Sequence, residues 1–244
     1  MAQKVSEVTS TTVTAITSGG SQANIEALEF GDAQLGFTQY DVMMYAYEGT
    51  NQFEETGAVD SFSVVAALYP ETVHIVTLDP DIQSVADLEG KNVSIGAAGS
   101  GVYSNAIDVL GIYGLTEDDI NPTYQSFSDS VEALQDGQID AAFVVAGAPV
   151  PAVTSLAATN DVYLVSIDDE HIDQLIAEIP TYTRTTISAD VYGTPEDCST
   201  VYVGAIIIAA DDVADEDVYN FLYGVYENID DLIGAHSIAT NLSL

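Results

Sequence analysis

Short apolar runs alternate along the chain with stretches in which apolar residues recur every third or fourth position. The runs are typical of buried strands, and the wider spacing is typical of amphipathic helices. Strands are predicted over 13–16, 34–38, 63–68, 73–78, 93–95, 140–145, 162–167 and 201–209, and helices over 22–30, 39–47, 84–88, 102–110, 128–134, 151–158, 168–178 and 215–231. Because strands repeatedly lead into helices, the pattern predicts an α/β fold with a parallel sheet.

The same pattern predicts two lobes. The segment Tyr69-Pro70-Glu71 interrupts a long apolar stretch, and the apolar run 201–209 is long enough to return to the first lobe. Segments 30–37 and 136–143 share one plan, in which a helix ends at a glycine and a short strand leads to small or polar residues. The predicted domains are lobe one, residues 1–70 plus 200–244, and lobe two, residues 71–199. We expect the strand tips of both lobes to face a common cleft, because ligands of open α/β sheets bind at the carboxyl ends of strands.

The balance of charges narrows the range of partners. Among 244 residues, 3 are Lys or Arg and 39 are Asp or Glu, so the formal net charge is −36. Nucleic acids and anionic membrane surfaces are excluded as partners, because binding either needs a dense basic footprint. The charge favours a monomer and resembles the composition of salt-adapted or exported proteins. The hydrophobic fraction of 47% is ample for the core of one large or two small domains.

Cysteine and histidine give no sign of a metal or cofactor site. Cys198 is the only cysteine, so neither an internal disulfide nor a cysteine zinc cluster can form. The residues His74, His171 and His236 are far apart and lack metal-ligand spacing. No apolar run approaches the roughly 20 residues of a membrane span, and the first residues contain no apolar signal core. We therefore expect either a cytoplasmic protein or a chain that begins after a removed or missing segment.

The candidate chemistry centres on a glycine-rich turn. The sequence Gly96-Ala97-Ala98-Gly99-Ser100-Gly101 follows the short strand 93–95 and precedes the predicted helix 102–110. Such a turn places backbone N–H groups at the positive end of a helix dipole, which is a site for an anion. The alternative is a plain tight connection. The turn lacks the G-x-G-x-x-G pattern of a dinucleotide site and the G-x-S-x-G pattern of a hydrolase.

Three polar residues outside this turn have both a structural and a functional interpretation. Gln39 follows a strand and opens a helix that Asp41 is better suited to cap, so a ligand-facing role is favoured for the Gln39 amide, which can both donate and accept hydrogen bonds. Tyr69 is either a packing residue at the crossing between lobes or a hydroxyl donor in a pocket wall. Arg184 is either a bidentate partner for a carboxylate or a surface charge that neutralises nearby acids.

In order and spacing, a set of motifs resembles the TAXI group of TRAP-transporter solute-binding proteins across nearly the whole chain. These are Ser18-Gly19-Gly20-Ser21 with Asn24, Leu35-Gly36-Phe37-Thr38-Gln39-Tyr40-Asp41, Ala67-Leu68-Tyr69-Pro70-Glu71, Asp87-Leu88-Glu89-Gly90-Lys91, Gly96-Ala97-Ala98-Gly99-Ser100-Gly101, Asp136-Gly137-Gln138-Ile139-Asp140-Ala141-Ala142-Phe143 and Ala146-Gly147-Ala148-Pro149. The resemblance implies an α/β, two-lobe periplasmic-binding-protein-like (type II) clam-shell with a hinge. It also implies an extracytoplasmic protein, periplasmic or a cell-surface lipoprotein, that captures glutamate, a related amino acid or an oxo-acid.

The resemblance further implies the partners and the residues of the site. The solute would be handed to TRAP membrane permease subunits, without a cofactor, a metal or a catalytic residue. The expected ligand-binding residues are Gln39, Tyr69, Gly99, Ser100, Gly101, Ala146, Gly147 and Pro149, with Ser21, Asn24 and Tyr192 as further candidates. The family's first strand with its glycine-rich loop and its final His-Pro-Gly-Ala run have no counterpart here, so we expect a chain truncated at both ends.

Two other functions fit the same two-lobe architecture. An enzyme would need a nucleophile or an acid–base pair with perturbed protonation in the cleft, and the sequence offers no such constellation. An effector-sensing module would need an attached DNA-binding or signalling segment, and the sequence contains none. The sequence therefore favours the solute-binding interpretation.

Overall fold

The computed structural model describes residues 1–235 and residue 242. The helices are α1 Ala2–Val8, α2 Ser21–Glu29, α3 Tyr40–Glu48, α4 Gly101–Ile112, α5 Phe127–Gln135, α6 Pro151–Ala157, α7 Asp169–Glu178, α8 Asp215–Tyr226 and α9 Ile229–Ala235. The strands are β1 Leu35–Gln39, β2 Phe62–Thr77, β3 Asn92–Ser94, β4 Asn121–Thr123, β5 Ala141–Ala146, β6 Tyr163–Leu164, β7 Thr183–Ile187 and β8 Cys198–Ala210. Short 3₁₀ turns lie at Asn51–Phe53, Val85–Leu88, Glu117–Asp119 and Ala189–Val191. The α/β class predicted from the sequence is confirmed.

The chain forms two compact units. The first comprises Met1–Tyr69 with Gly204–Leu244, and the second comprises Pro70–Val203. The chain therefore passes between the units twice, once within β2 and once within β8. The predicted boundaries were 70/71 and 199/200, and the end of predicted lobe one, 236–241 with 243–244, lies outside the described residues.

In the first unit, β1 pairs antiparallel with the second half of β8, from Leu35↔Ala209 to Gln39↔Ala205. One face of this pair packs against α1 and α8 through a buried cluster that includes Val5, Ile207, Phe221 and Val225. On the other face, α2 packs closely on β1. A Cβ at Gly36 would stand 3.2 Å from the Leu28 side chain, so the small residue permits this approach.

In the second unit, β5 is the central strand and has apolar side chains on both faces. It pairs antiparallel with β2 and parallel with β3, and β3 pairs parallel with β4. Phe143 packs on the side of α4 and α7, whereas Val144 packs on the side of α5 and α6. A strand that is buried on both faces in this way reads as a continuous apolar run, which is why 140–145 was recognisable in the sequence.

The predicted parallel sheet was wrong, because the sheet is mixed. The pairs β3–β4 and β3–β5 are parallel, whereas the pairs β1–β8, β2–β5, β2–β6 and β7–β8 are antiparallel. Both β2 and β8 carry the chain from one unit to the other.

Three predicted boundaries also differ. The segment 13–16 is not a strand: the Val13 N–H is bound by the Ser6 hydroxyl at 2.8 Å, and Ile16 is 65% exposed. The strand β2 continues through Pro70, as a strand can where the missing N–H is not needed in the ladder. The predicted helix 215–231 divides into α8 and α9, because Asn228 bonds the Gly224 carbonyl with its side chain and so ends α8.

Candidate functional site

The turn between β3 and α4 is shaped by two glycines with left-handed backbone. Gly96 has φ of 89° and Gly99 has φ of 76°, a region that side chains disfavour. At Gly96 there is also no space, since a Cβ would lie 2.6 Å from the Val102 Cβ and 2.9 Å from the Ser100 Oγ. The conformation of this turn therefore requires glycine, which allows the backbone to pass close to the start of α4.

Ser100 is the N-cap residue of α4, but its hydroxyl does not cap the helix. The side chain is 9% exposed, and Oγ has no hydrogen-bond partner among the described residues. A buried hydroxyl without a partner costs about 1–3 kcal/mol, so such groups in folded proteins call for an explanation. A ligand oxygen that accepts a hydrogen bond from this hydroxyl would supply the missing partner.

The electrostatics of the turn favour an anion. The helix α4 spans twelve residues, Gly101–Ile112, and contains no acidic residue in its first turn. Its first N–H groups have no acceptor inside the helix, and they form the positive end of the helix dipole. Backbone N–H groups and one hydroxyl therefore converge where a carboxylate, sulfonate or phosphate oxygen would be stabilised.

The loop after β5 lies at the same end of the second unit's sheet. The strands β3 and β5 are parallel neighbours, with Ser94 opposite Ala142, so their carboxyl ends point to the same edge. The predicted residues Ala146 and Gly147 are half-buried there, whereas Pro149 is exposed. The structure thus brings Gly99, Ser100 and Gly101 to the same end of the sheet as this loop.

Tyr192, a predicted ligand contact, is instead bonded inside the second unit. It is 7% exposed, its hydroxyl is 3.0 Å from His74 Nε2, and it accepts the Val150 N–H at 2.7 Å. His74 is fully buried on β2, which lowers its pKa to about 4, chiefly through desolvation. Burial also raises the pKa of Tyr192. The sequence gave no sign of this pair.

The candidates of the first unit lie around the end of β1. Gln39 is 3% exposed and is the N-cap of α3, whereas Asp41, expected to be the cap, is fully buried in the first turn. The Ser21 hydroxyl accepts the Gln39 N–H at 3.1 Å, and the Asn24 amide donates to the Phe37 carbonyl at 2.6 Å. Ser21 and Asn24 therefore satisfy the free edge of β1 and fix the backbone at Gln39, a role that protects an edge strand.

Tyr69 and Arg184 each had a structural and a ligand-binding interpretation from the sequence. Tyr69 is half-buried and packs against the core of the first unit, at the last residue before the chain enters the second. Arg184 is held on the surface by Asp169 and by Asp173, the latter at 2.8 Å, and this confirms the surface-charge interpretation. Its guanidinium is thus occupied by side chains of the protein itself.

A cavity that sequence reasoning missed lies in the first unit, at the amino end of β1. Its volume is about 690 Å³, and its lining includes Phe30, Ser61 and Asp217. Glu29 and Asp211 in this wall accept hydrogen bonds from the hydroxyls of Ser61 and Ser63. Ligand sites of α/β sheets lie at the opposite, carboxyl end of strands, so we do not assign the solute to this cavity.

Within the part of the chain that the structure describes, no group of histidine, cysteine and acidic residues could hold a metal ion. His236 lies outside the described residues. Across the described ranges, no helix is long and apolar enough to span a bilayer.

Comparison with solved structures confirms the predicted fold class, that of two-lobe α/β solute-binding proteins. The alkanesulfonate-binding protein SsuA from Xanthomonas axonopodis pv. citri, solved with bound MOPS, is 18% identical, with a TM-score of 0.59 over 97% of this chain and 71% of its own. A protein from Bordetella bronchiseptica RB50 is 17% identical, with a TM-score of 0.56 over 92% of this chain and 64% of its own.

A third solved structure is an amino acid ABC transporter substrate-binding protein from Streptococcus pneumoniae Canada MDR_19A bound to L-arginine. It is 13% identical, with a TM-score of 0.54 over 100% of this chain and 82% of its own. The present chain thus spans less than two thirds of the Bordetella protein and more of the other two. Sequence comparison is more specific than these likenesses: the chain matches the NMT1-like family over residues 1–244 and therefore belongs to that family.

Proposed function

We propose that this protein is the extracytoplasmic solute-binding component of a membrane transporter and that its solute is a small carboxylate. The solutes that fit are glutamate, a related amino acid or an oxo-acid. The solute carboxylate is held by the turn between β3 and α4, with Ser100 donating a hydrogen bond to it. The Ala146–Pro149 loop of the second unit and Gln39 and Tyr69 of the first are further proposed contacts.

The buried hydroxyl of Ser100 carries this proposal. It lacks a partner among the described residues, it lies against Gly96 of the turn, and it stands at the N-terminus of a helix of twelve residues. A bound carboxylate would accept hydrogen bonds from both the hydroxyl and the helix N–H groups. A turn that served only as a connection would have no need of an unpartnered hydroxyl at this position.

The charge of the chain supports a local, neutral mode of recognition. A net charge of −36 repels anions at long range, but screening limits this repulsion to about 8 Å at physiological salt. Arg184 is occupied by Asp169 and Asp173 and does not supply the positive charge. Backbone N–H groups and hydroxyls are therefore the proposed ligands of the carboxylate.

The comparisons support a binding role rather than a catalytic one. The two solved structures whose roles are stated are binding proteins, one for alkanesulfonates and one for an ABC transporter of amino acids. The motif resemblance favours a permease of the TRAP type. Uptake of the solute into vesicles that contain the permease distinguishes a TRAP from an ABC transporter. Uptake by a TRAP system stops when the ion gradient is collapsed, whereas uptake by an ABC system stops without ATP.

Isothermal titration calorimetry of the purified chain tests the solute class. The panel contains L-glutamate, 2-oxoglutarate and succinate as acids, L-arginine as a cationic amino acid, and MOPS as a sulfonate. We expect at least one of the acids to bind with a Kd in the micromolar range or tighter, and L-arginine to bind more weakly. Binding of MOPS without binding of any carboxylate in the panel would overturn the carboxylate assignment. Binding of L-arginine alone would keep the carboxylate but overturn the assignment of an acidic solute.

A further inference from the structure

The tautomer of the buried His74 is fixed by its neighbours. His74 Nδ1 lies 2.8 Å from the Thr72 carbonyl oxygen and 3.1 Å from the Val144 carbonyl oxygen. Carbonyl oxygens only accept, so Nδ1 carries the proton and donates to both. Nε2 of the neutral ring is therefore an acceptor, and the group that faces it is the Tyr192 hydroxyl.

The Tyr192 hydroxyl connects His74 to the loop after β5. Its hydroxyl donates to His74 Nε2 at 3.0 Å and accepts the Val150 N–H at 2.7 Å, and the two rings meet edge-on with centroids 5.6 Å apart. Val150 is the N-cap of α6 and is 3% exposed. The bond to Tyr192 thus satisfies an N–H at the point where the loop ends and α6 begins.

Both ends of the Ala146–Val150 loop are thereby connected to the same histidine. The loop begins at Ala146, which pairs with Thr72, and the Thr72 carbonyl accepts from His74 Nδ1. The loop ends at Val150, which is tied to His74 through Tyr192. Residues 148–149, between these ends, are exposed, so the buried chain of hydrogen bonds lies beneath an open segment.

We propose that His74 and Tyr192 are positioning residues that hold the Ala146–Val150 loop in the conformation that receives the solute. This inference rests on the proposed function, in which that loop contacts the carboxylate. It assigns Tyr192 a supporting role in place of the direct contact expected from the sequence.

Protonation of the histidine breaks this arrangement. Nε2–H would face the Tyr192 hydroxyl, whose oxygen also receives the Val150 N–H, and the hydroxyl proton would lose its acceptor. The groups that face the ring are the Thr72 and Val144 carbonyls from β2 and β5 and the Tyr192 hydroxyl. Cys198 of β8 packs with Tyr192 in one apolar cluster. Burial raises the pKa of the Cys198 thiol to about 11, so this group stays neutral.

A pair of tyrosine variants tests the inference in the full chain. Tyr192→Phe removes the hydroxyl that links His74 to the loop. Tyr182→Phe is the matched control, because it removes another buried hydroxyl of the second unit, which accepts from Asn105 at 2.7 Å and donates to Asp108 at 2.8 Å.

The first measurement is hydrogen exchange of the Val150 amide, which needs no solute. We expect Tyr192→Phe to lower the protection factor of this amide about tenfold, and Tyr182→Phe to leave it within about twofold. In the wild type, the protection factor of the Val150 amide, corrected for the intrinsic exchange rate, should also fall as the pH is lowered from 6 to 4. In His74→Gln, which lacks the titrating group, this fall should be absent. Unchanged protection in Tyr192→Phe would overturn the inference.

The second measurement is calorimetry with the tightest-binding acid of the panel. We expect Tyr192→Phe to weaken binding at least about fivefold at pH 7, and Tyr182→Phe to change it less than about twofold. Equal effects of both variants would mean that Tyr192 acts only through general stability, and this would overturn the positioning role. If the wild type binds no acid while exchange responds as expected, the proposed function fails and the tether to the loop remains.

Discussion

Replacing Ser100 with alanine separates a ligand-binding hydroxyl from a structural one, because the two roles predict opposite effects on the free protein. Mutation of an N-cap serine to alanine normally lowers the stability of a protein by about 0.5–2 kcal/mol, because the serine hydroxyl accepts a hydrogen bond from a backbone N–H of the first helical turn. Ser100 makes no such bond. Its hydroxyl is buried without a partner among the described residues, so removing it relieves a desolvation cost.

The expected magnitudes follow from the two states of the hydroxyl. In the free protein, Ser100→Ala should stabilise the fold by roughly 1 kcal/mol, which raises Tm by about 2–4 °C in a chain of this size. In the complex, the variant loses a hydrogen bond to a charged carboxylate, worth about 1.5–3 kcal/mol. The Kd for the acid should therefore rise about 10- to 150-fold.

Thermal unfolding and calorimetry together provide the assay, and Ser130→Ala is the matched control. The Ser130 hydroxyl is also buried, but it bonds the Ser94 hydroxyl at 2.8 Å. Its removal leaves Ser94 without that partner and should cost about 1–3 kcal/mol of stability while the Kd stays constant. The reasoning is refuted if Ser100→Ala lowers Tm and leaves the Kd unchanged, which is the pattern of an ordinary structural serine.

The remaining predictions concern the turn, the buried histidine and the surface charge. Gly96→Ala should destabilise the protein by about 2–5 kcal/mol, because the new Cβ meets Val102 and the residue keeps φ of 89°. Gly111→Ala, where nothing lies within 4 Å, should be neutral or stabilising by up to about 1 kcal/mol in denaturant titrations; equal losses would contradict the steric argument. The unfolded His74 binds its proton near pH 6.5 and the folded one near pH 4, so stability is full above pH 6.5 and falls as the pH drops towards 4, by about 3 kcal/mol more than in His74→Gln. Parallel pH curves for the two proteins would disprove a depressed pKa. Raising NaCl from 0.1 to 1 M shortens the screening length from about 10 to 3 Å and should raise Tm, because 39 acidic residues repel one another; an unchanged or lower Tm would count against this repulsion.

The sequence was most informative where local rules decide the structure. The glycines before Ser100 announced a turn between a strand and a helix, and the structure places α4 there, one residue from the predicted start. The helix predicted over 168–178 is present as α7, and its residues Ile172 and Leu175 are fully buried. Periodicity, caps and left-handed glycines depend on residues close in sequence, so a single chain reveals them.

The sequence was least informative where distant segments decide. Pairing partners are not encoded in local pattern, so the antiparallel course of β2 and β8 could not be deduced from strand–helix alternation. Likewise, Pro70 was read as a break because a strand's tolerance of proline depends on whether its missing N–H faces a neighbour. The contact of His74 with Tyr192 joins residues 118 positions apart and leaves no trace in either neighbourhood.

The candidate site rests on two kinds of prediction. The turn at Ser100 and a ligand-facing Gln39 followed from physical rules, whereas Tyr69 was favoured through the resemblance to a family, and the contacts of all three residues with a solute stay predictions. Ser21 and Asn24 were named as possible ligand contacts, and the structure gives their side chains bonds to the β1 backbone. A sequence cannot show whether a hydroxyl or amide faces a solute or its own main chain, because the choice depends on a strand edge built from distant residues.

Amide chemical-shift mapping tests the central claim most directly. In a ¹H–¹⁵N titration of the whole chain with the tightest-binding acid of the calorimetric panel, we expect the largest saturable shifts at Gly99, Ser100, Gly101 and Val102, with the calorimetric Kd. Saturable shifts that leave this turn unmoved and appear instead around Phe30 and Asp211, at the cavity of the first unit, would contradict the account.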